Sequence, residues 1–149
     1  MPSFDDIVNE LQGKINEETI EAYGQAGFKR WQNPPYREKP AKANYEGAST
    51  GSCGDTIRIF LYIDDDKVRN AGFATDGCGS SMISGSMAAE LAMNKPCDEL
   101  AAISGETVLE GLGGPDCLPA DDQHCAWLAA NALHEAVGDY YKQIVKRKK

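Results

Sequence analysis

The sequence contains no apolar run approaching the roughly 20 residues that a membrane-spanning helix requires, and no cysteine spacing of the disulfide kind. Its five cysteines (53, 78, 97, 117 and 125) are an odd number, and no secretory signal is recognisable. These absences lead us to expect a protein of a reducing cytoplasm. Positive charge is also scarce: 15 Lys and Arg against 23 Asp and Glu leave a net charge of −8, with a pI near 4.7. Such a balance argues against nucleic acid and membrane as partners and favours basic protein surfaces. The one basic cluster, Lys146-Arg147-Lys148-Lys149, reads as a solvated helix end suited to the helix dipole, with a docking tail as the other reading.

What is present is a set of metal-type ligands in three separated segments: Gly51-Ser52-Cys53-Gly54-Asp55, Asp76-Gly77-Cys78-Gly79-Ser80 and Gln123-His124-Cys125-Ala126. Glycine after Cys53 and Cys78 lets the backbone approach whatever the sulfur holds, and Cys125 adjoins an imidazole. The length of 149 residues suits a single domain over 1–149, which buries roughly 70% of its unfolded surface and folds without a metal staple. A metal here would therefore serve function. We expect a helical or flexible N-terminal segment over 1–45 and a core over 46–145.

Apolar residues at 4, 7, 8, 11 and 15, with Ser3 as N-cap and Asp5-Asp6 in the first turn, predict one or two amphipathic helices from Phe4 to about Phe28. Asn33-Pro34-Pro35 through Pro40 interrupts regular structure, and Ala43 to Ser52 reads as a mobile connection or a weak edge strand. Thr56 to Ile63 alternates as a half-covered strand, with Ile57, Ile59, Leu61 and Ile63 on the inner face and Arg58, Phe60 and Tyr62 outward. Asp64-Asp65-Asp66-Lys67 forms a hairpin turn and Val68 to Thr75 the returning strand. Cys53 precedes this hairpin and Cys78 follows it. Antiparallel pairing can thus bring the two thiols to one end of the sheet.

From Gly79 the period becomes helical, with Ser80-Ser81 as capping hydroxyls and Met82, Met87, Leu91 and Ala92 marking an apolar side up to Asn94-Lys95-Pro96. Leu118-Pro119-Ala120-Asp121-Asp122 announces a last helix, whose first turn holds His124 and Cys125 and whose buried side runs through Leu128, Leu133, Val137, Tyr140, Tyr141 and Ile144. Cys78 and Cys125 both stand at helix starts, where the dipole favours thiolate over thiol. Adjacent helical residues diverge by about a hundred degrees, so His124 and Cys125 reach one ion only in the space beyond the helix end.

These residues resemble the IscU/NifU-type scaffolds on which iron-sulfur clusters are assembled. The resemblance runs from about Gly51 to Tyr141 and rests on Cys53-Gly54-Asp55, on Thr75-Asp76-Gly77-Cys78-Gly79-Ser80-Ser81, and on Leu118-Pro119 leading into His124-Cys125. It implies an α+β, IscU/SufE-like fold: a small antiparallel sheet of about three strands packed against helices, with a long C-terminal helix. It further implies that Cys53, Cys78 and Cys125 bind iron and a transient [2Fe-2S] cluster or accept persulfide sulfur, with Asp55 or His124 as fourth ligand. Soft thiolates suit iron-sulfur cores, and an oxygen or nitrogen corner exchanges more easily, as a scaffold that releases its product needs. Zinc would fit the same donors. The implied partners are a cysteine desulfurase, an iron donor, a ferredoxin-type electron donor and apo iron-sulfur proteins, with the scaffold a monomer or a cluster-linked dimer.

Many members carry Leu-Pro-Pro-Val-Lys before the His-Cys pair, where a dedicated Hsp70-type chaperone docks. Here Ala120-Asp121-Asp122 follows Leu118-Pro119, which inverts the charge and argues against that partner. The segment around Trp31 and Pro34-Pro35 also departs from the family pattern, and Gly111 to Asp116 reads as a short glycine-rich insertion. A SufU-like, zinc-dependent sulfur acceptor is the alternative; those proteins carry a long insertion between the second and third cysteines and lack the histidine that His124 supplies here. A stable electron carrier, the third reading, would want four firm ligands. Outside the motifs, Cys97 reads as a small core hydrophobe, Cys117 as core or a reactive spare thiol, His134 as a satisfied histidine, and Asp55 alone could be a turn former.

Overall fold

The computed structural model describes residues 3–51, 54–77, 79–114 and 117–147. Helix α1 spans Phe4–Gln32, and strands β1 (Tyr45–Thr50), β2 (Thr56–Asp64) and β3 (Lys67–Thr75) follow. Then come α2 (Gly79–Ala92), a 3-10 turn (Cys97–Ala102), α3 (Gly105–Leu112), a second 3-10 turn (Ala120–Asp122) and α4 (His124–Arg147). This is the α+β arrangement expected: one antiparallel sheet in the order β1-β2-β3, helices against it, and a long last helix. No helix among the described residues is long and apolar enough to cross a membrane.

The N-terminal helix is continuous. Ser3 and Asp6 close a capping box at its start, and Asn33 leaves the helical region (φ −146°, ψ 78°) because Pro34 disfavours α geometry in the residue before it. Its apolar stripe does not reach the core, however. Phe4, Ile7, Val8 and Leu11 remain 79%, 45%, 44% and 54% exposed, so the amphipathic reading gave the right element and the wrong environment. The side chain of Ile15 lies outside the described residues. The last turns dock: Arg30 donates to Ser86 Oγ at 2.9 Å and pairs with Glu90 at 3.3 Å on α2, and Phe28 stacks on Trp31.

The hairpin forms as its alternation dictates. Ile57, Ile59 and Leu61 are fully buried on the inner face, and Asp65 and Asp66 take positive φ (55° and 64°), the geometry that lets a two-residue turn follow the strand twist. Phe60, expected to face outward, is buried as well, since Lys39 lies over its ring at 5.4 Å. The segment before β2 forms a regular edge strand paired from Tyr45↔Leu61 to Thr50↔Thr56. Asn44 extends that ladder with its amide, which donates to Ile63 O and accepts from Ile63 N. Backbone bonds from Val68 and to Val68 tie β3 to the 94–95 segment, and Phe73 N donates to Tyr36 O, so the outer edge of β3 is largely covered.

Helices α2 and α4 pack on the inner face. Ile83, Met87 and Ala88 of α2 and Ala126, Ala129, Leu133 and Ala136 of α4 close over Phe73, Val68 and the β2 isoleucines. Leu128, Val137 and Tyr140 are buried as expected, whereas Tyr141 is exposed and Ile144 only partly covered. Met82 and Leu91 likewise lie at the rim, and α2 instead buries its serines. Gly47 sets how close α4 comes to β1: a Cβ there would collide with backbone atoms of Ala132 and Ala136. Cys97 opens a helical turn, Cys97–Ala102, as its helix-start position suggests, whereas α3 has no counterpart in the sequence reading; Gly111 and Leu112 end α3, and Gly113 caps it with φ +117°.

Candidate metal centre

The outer ends of the β2–β3 hairpin are pinned together. Thr75 Oγ1 donates to Thr56 O at 2.6 Å, Thr56 N donates to Asp76 Oδ1 at 3.0 Å, and Gly77 N donates to Thr75 Oγ1 at 3.0 Å. On the other flank Gly51 N donates to Asp55 O and Gly54 N to Gly51 O, with Gly54 at φ +92°, a turn that only glycine makes without strain. Asp55 therefore leaves a closed loop directly above the start of β2. Cys53 and Cys78 lie outside the described residues.

Helices α2 and α4 bring their first turns to the same end. Ser81 Oγ donates to Asp55 Oδ2 at 3.3 Å and stands 3.5 Å from Cys125 Sγ. The imidazole Nε2 of His124 folds back to 3.9 Å from that sulfur. The structure thus links Asp55 to Cys125 through Ser81 and sets His124 beside Cys125, three of the five expected ligands along one chain of contacts. Cys125 is fully buried, Asp55 partly so and His124 exposed, so the donors run from the interior to the surface. Ser81 reaches Asp55 and Cys125, and Ser80 Oγ donates to Asp122 Oδ2 at 3.1 Å. Asp121 and Asp122 belong to the preceding 3-10 turn, not to the first turn of α4.

Gly77 closes the wall between them. A Cβ at this position would stand 2.7 Å from Ser81 Oγ and 2.9 Å from Asp55 Cγ, so the cradle exists only because residue 77 has no side chain. One sulfur, one carboxylate and one imidazole suit a borderline or soft cation, but no three His, Cys, Asp or Glu side chains among the described residues form a metal group by themselves. The set is completed only if Cys53 and Cys78 join it. The sequence reading passed over the contacts of Ser81 and the Ser80–Asp122 bond, because nothing in a linear pattern tells which groups from other elements will face the first turn of α2.

Cys97 is buried in the core, as expected, and burial beside Asp66 and Asp98 pushes its thiol up to about 11. The Cys117 thiol donates to Leu112 O at 2.8 Å at the end of α3. His134 Nε2 contacts Ile103 O at 2.7 Å.

The NifU-like N terminal domain model matches residues 22–147, reaching back to include Trp31 and Pro34-Pro35, which the motif comparison had set apart. The chain is 34% identical over 122 residues to iron-sulfur cluster assembly scaffold protein IscU 1 of Archaeoglobus fulgidus, covering 81% of this chain and 78% of that one. It is 29% identical to the IscU scaffold protein of Haemophilus influenzae, covering 80% and 95% respectively. Among solved structures, the N-terminal part of a nitrogen-fixing NifU-like protein from Brucella abortus shares the fold, with a TM-score of 0.63 at 16% identity over 83% of this chain and 97% of that one. With a family match over most of its length, the chain belongs to the NifU-like N-terminal domain family.

Proposed function

We propose that this chain is a scaffold on which an iron-sulfur cluster is assembled and from which it is handed to apo-proteins. The observation that carries this reading is the meeting of the Cys125 sulfur and the Asp55 carboxylate on one hydroxyl, at the end of the sheet where the glycine-flanked Cys53 and Cys78 segments enter and leave. In this reading Cys53, Cys78 and Cys125 are the thiolate ligands, and Asp55 or His124 supplies the exchangeable fourth corner. A cysteine desulfurase delivers sulfane sulfur as a persulfide. Two sulfane sulfurs need four electrons to become bridging sulfides: two come from the two ferrous irons, which become ferric, and two from a ferredoxin-type donor, completing an oxidised [2Fe-2S] unit. The chain's net charge of −8 welcomes basic docking surfaces on these partners. A reducing compartment such as the cytoplasm keeps the thiols available. The protein supplies ligands and release, not a catalysed bond change.

The test is anaerobic reconstitution with ferrous iron, cysteine and a cysteine desulfurase, followed by visible absorption and transfer to an apo-ferredoxin. Absorption should rise and then move to the acceptor, and Cys53→Ser, Cys78→Ser and Cys125→Ser should each abolish it. Assembly retained in any one variant would remove that residue from the site. Absence of cluster, with tightly held zinc and faster desulfurase turnover, would overturn the scaffold in favour of the sulfur-acceptor reading.

A further inference from the structure

We propose that Ser81 is a positioning residue of this centre: its hydroxyl sets the Asp55 carboxylate and the Cys125 sulfur in register, so that both address one ion. The proposal rests on the ligand assignment of the preceding section and adds a residue that carries no ligand atom.

Three elements converge on this oxygen. Asp55 comes from the loop entering β2, Cys125 from the first turn of α4, and Ser81 from the first turn of α2. The hydroxyl lies 3.3 Å from Asp55 Oδ2, to which it donates, and 3.5 Å from Cys125 Sγ. A serine has one proton to give and lone pairs to receive, so in the metal-free chain it donates to Asp55 while accepting from the Cys125 thiol; once that sulfur is a thiolate the proton stays with Asp55 and Cys125 keeps only the packing contact. Ser81 is fully buried, whereas Asp55 is half-open to solvent, and the hydroxyl thus links the interior sulfur to the carboxylate at the mouth. The hydrogen at Gly77 is the largest substituent the wall beside it admits. Serine is a poorer helix former than alanine and inside helices commonly bonds back to its own backbone. Here its side chain reaches two other elements, and Ser80 beside it reaches Asp122.

A carboxylate that ligates a metal is generally held by a further hydrogen bond, and losing such a partner typically weakens metal binding about 10- to 100-fold. With water able to replace part of the contact at the half-open Asp55, the lower end of that range is the expectation here. The effect should also depend on Asp55, because the hydroxyl acts through it. Alanine at 81 is smaller and favours the helix, so the variant should fold; a thermal melt checks this.

The experiment is an anaerobic titration of the metal-free chain with Co²⁺, which reports thiolate ligation through its sulfur-to-metal charge-transfer band and the ligand geometry through its d–d bands. Ser81→Ala should bind Co²⁺ about tenfold more weakly, with the charge-transfer intensity kept and the d–d bands shifted. In the Asp55→Ala background the same change should cost at most about twofold, a coupling that a purely structural serine would not show. Ser86→Ala, a buried serine further along α2, should leave the titration unchanged. Wild-type affinity and bands in Ser81→Ala, or an equal loss with and without Asp55, would overturn the positioning role while leaving the ligand set intact. A wild-type chain with no thiolate charge-transfer band at all would overturn both.

Discussion

At the scale of single residues, the centre is built as much by what residue 77 lacks as by the ligands. Gly77→Ala would place a methyl group 2.7 Å from Ser81 Oγ and 2.9 Å from Asp55 Cγ, and both of these are side chains that can turn aside. The fold should therefore survive, while the carboxylate swings out of register and Co²⁺ binding falls about tenfold. A melt unchanged from wild type together with that loss is the expected pair of results; unchanged affinity would show that the cradle has slack. The candidate ligands stand out in the sequence because glycine-flanked cysteines and a His-Cys pair at a helix start are rare without chemistry. Their connection through Ser81 was not legible there. A serine in a helix gives no sign of which neighbour it will meet, and that information lies in how α2 and α4 cross.

At the scale of elements, periodicity read the hairpin and α4 well because each buries one face, so the two-residue and 3.6-residue repeats survive in the sequence. It misjudged α1, whose apolar stripe at Phe4, Ile7, Val8 and Leu11 points to solvent, since the pattern reports a face without saying what covers it. It also passed over α3, although Val108, Leu109 and Leu112 share its buried side behind a Ser104–Thr107 capping box, because eight residues give barely two turns of the repeat. The seating of α4 on β1 was illegible for another reason: it depends on Gly47, where a side chain would run into the α4 backbone at Ala132 and Ala136. Unlike the Gly77 case, backbone must move. Gly47→Ala should cost about 1–3 kcal/mol or more by overpacking, seen as a lower urea midpoint, and because α4 carries His124 and Cys125 it should weaken Co²⁺ binding too. A midpoint within error of the wild type would mean that α4 slides along the strand without penalty.

At the scale of the whole molecule, the sheet has two ends with different duties. The open end holds Asp55, His124 and Cys125, while the hairpin end is tied by a polar cluster in which the buried Tyr140 of α4 donates to the exposed Asp66 of the turn and Cys97 N donates to Asp66 O at 2.9 Å. Tyr45 meets Tyr140 edge-on at 5.1 Å, so β1, the hairpin turn and α4 are joined there. Burial, with Asp66 nearby, raises the Tyr140 hydroxyl above the ordinary tyrosine range, and burial with Asp66 and Asp98 raises the Cys97 thiol from 9.0 to about 11. Both groups are acids that the fold keeps neutral. Below pH 9 neither state has lost these protons, and their contribution to stability is fully present. As pH rises past 9 the unfolded chain releases the Cys97 proton while the native state holds it, so the unfolded state binds fewer protons and stability falls, by at most about 1.4 kcal/mol per pH unit for each such group. Urea unfolding of the metal-free chain should therefore show a midpoint that declines between pH 9 and about 11, and Cys97→Ala should flatten the decline that begins at pH 9, leaving the later one due to tyrosine. An equally steep decline in the variant would place the titrating group elsewhere.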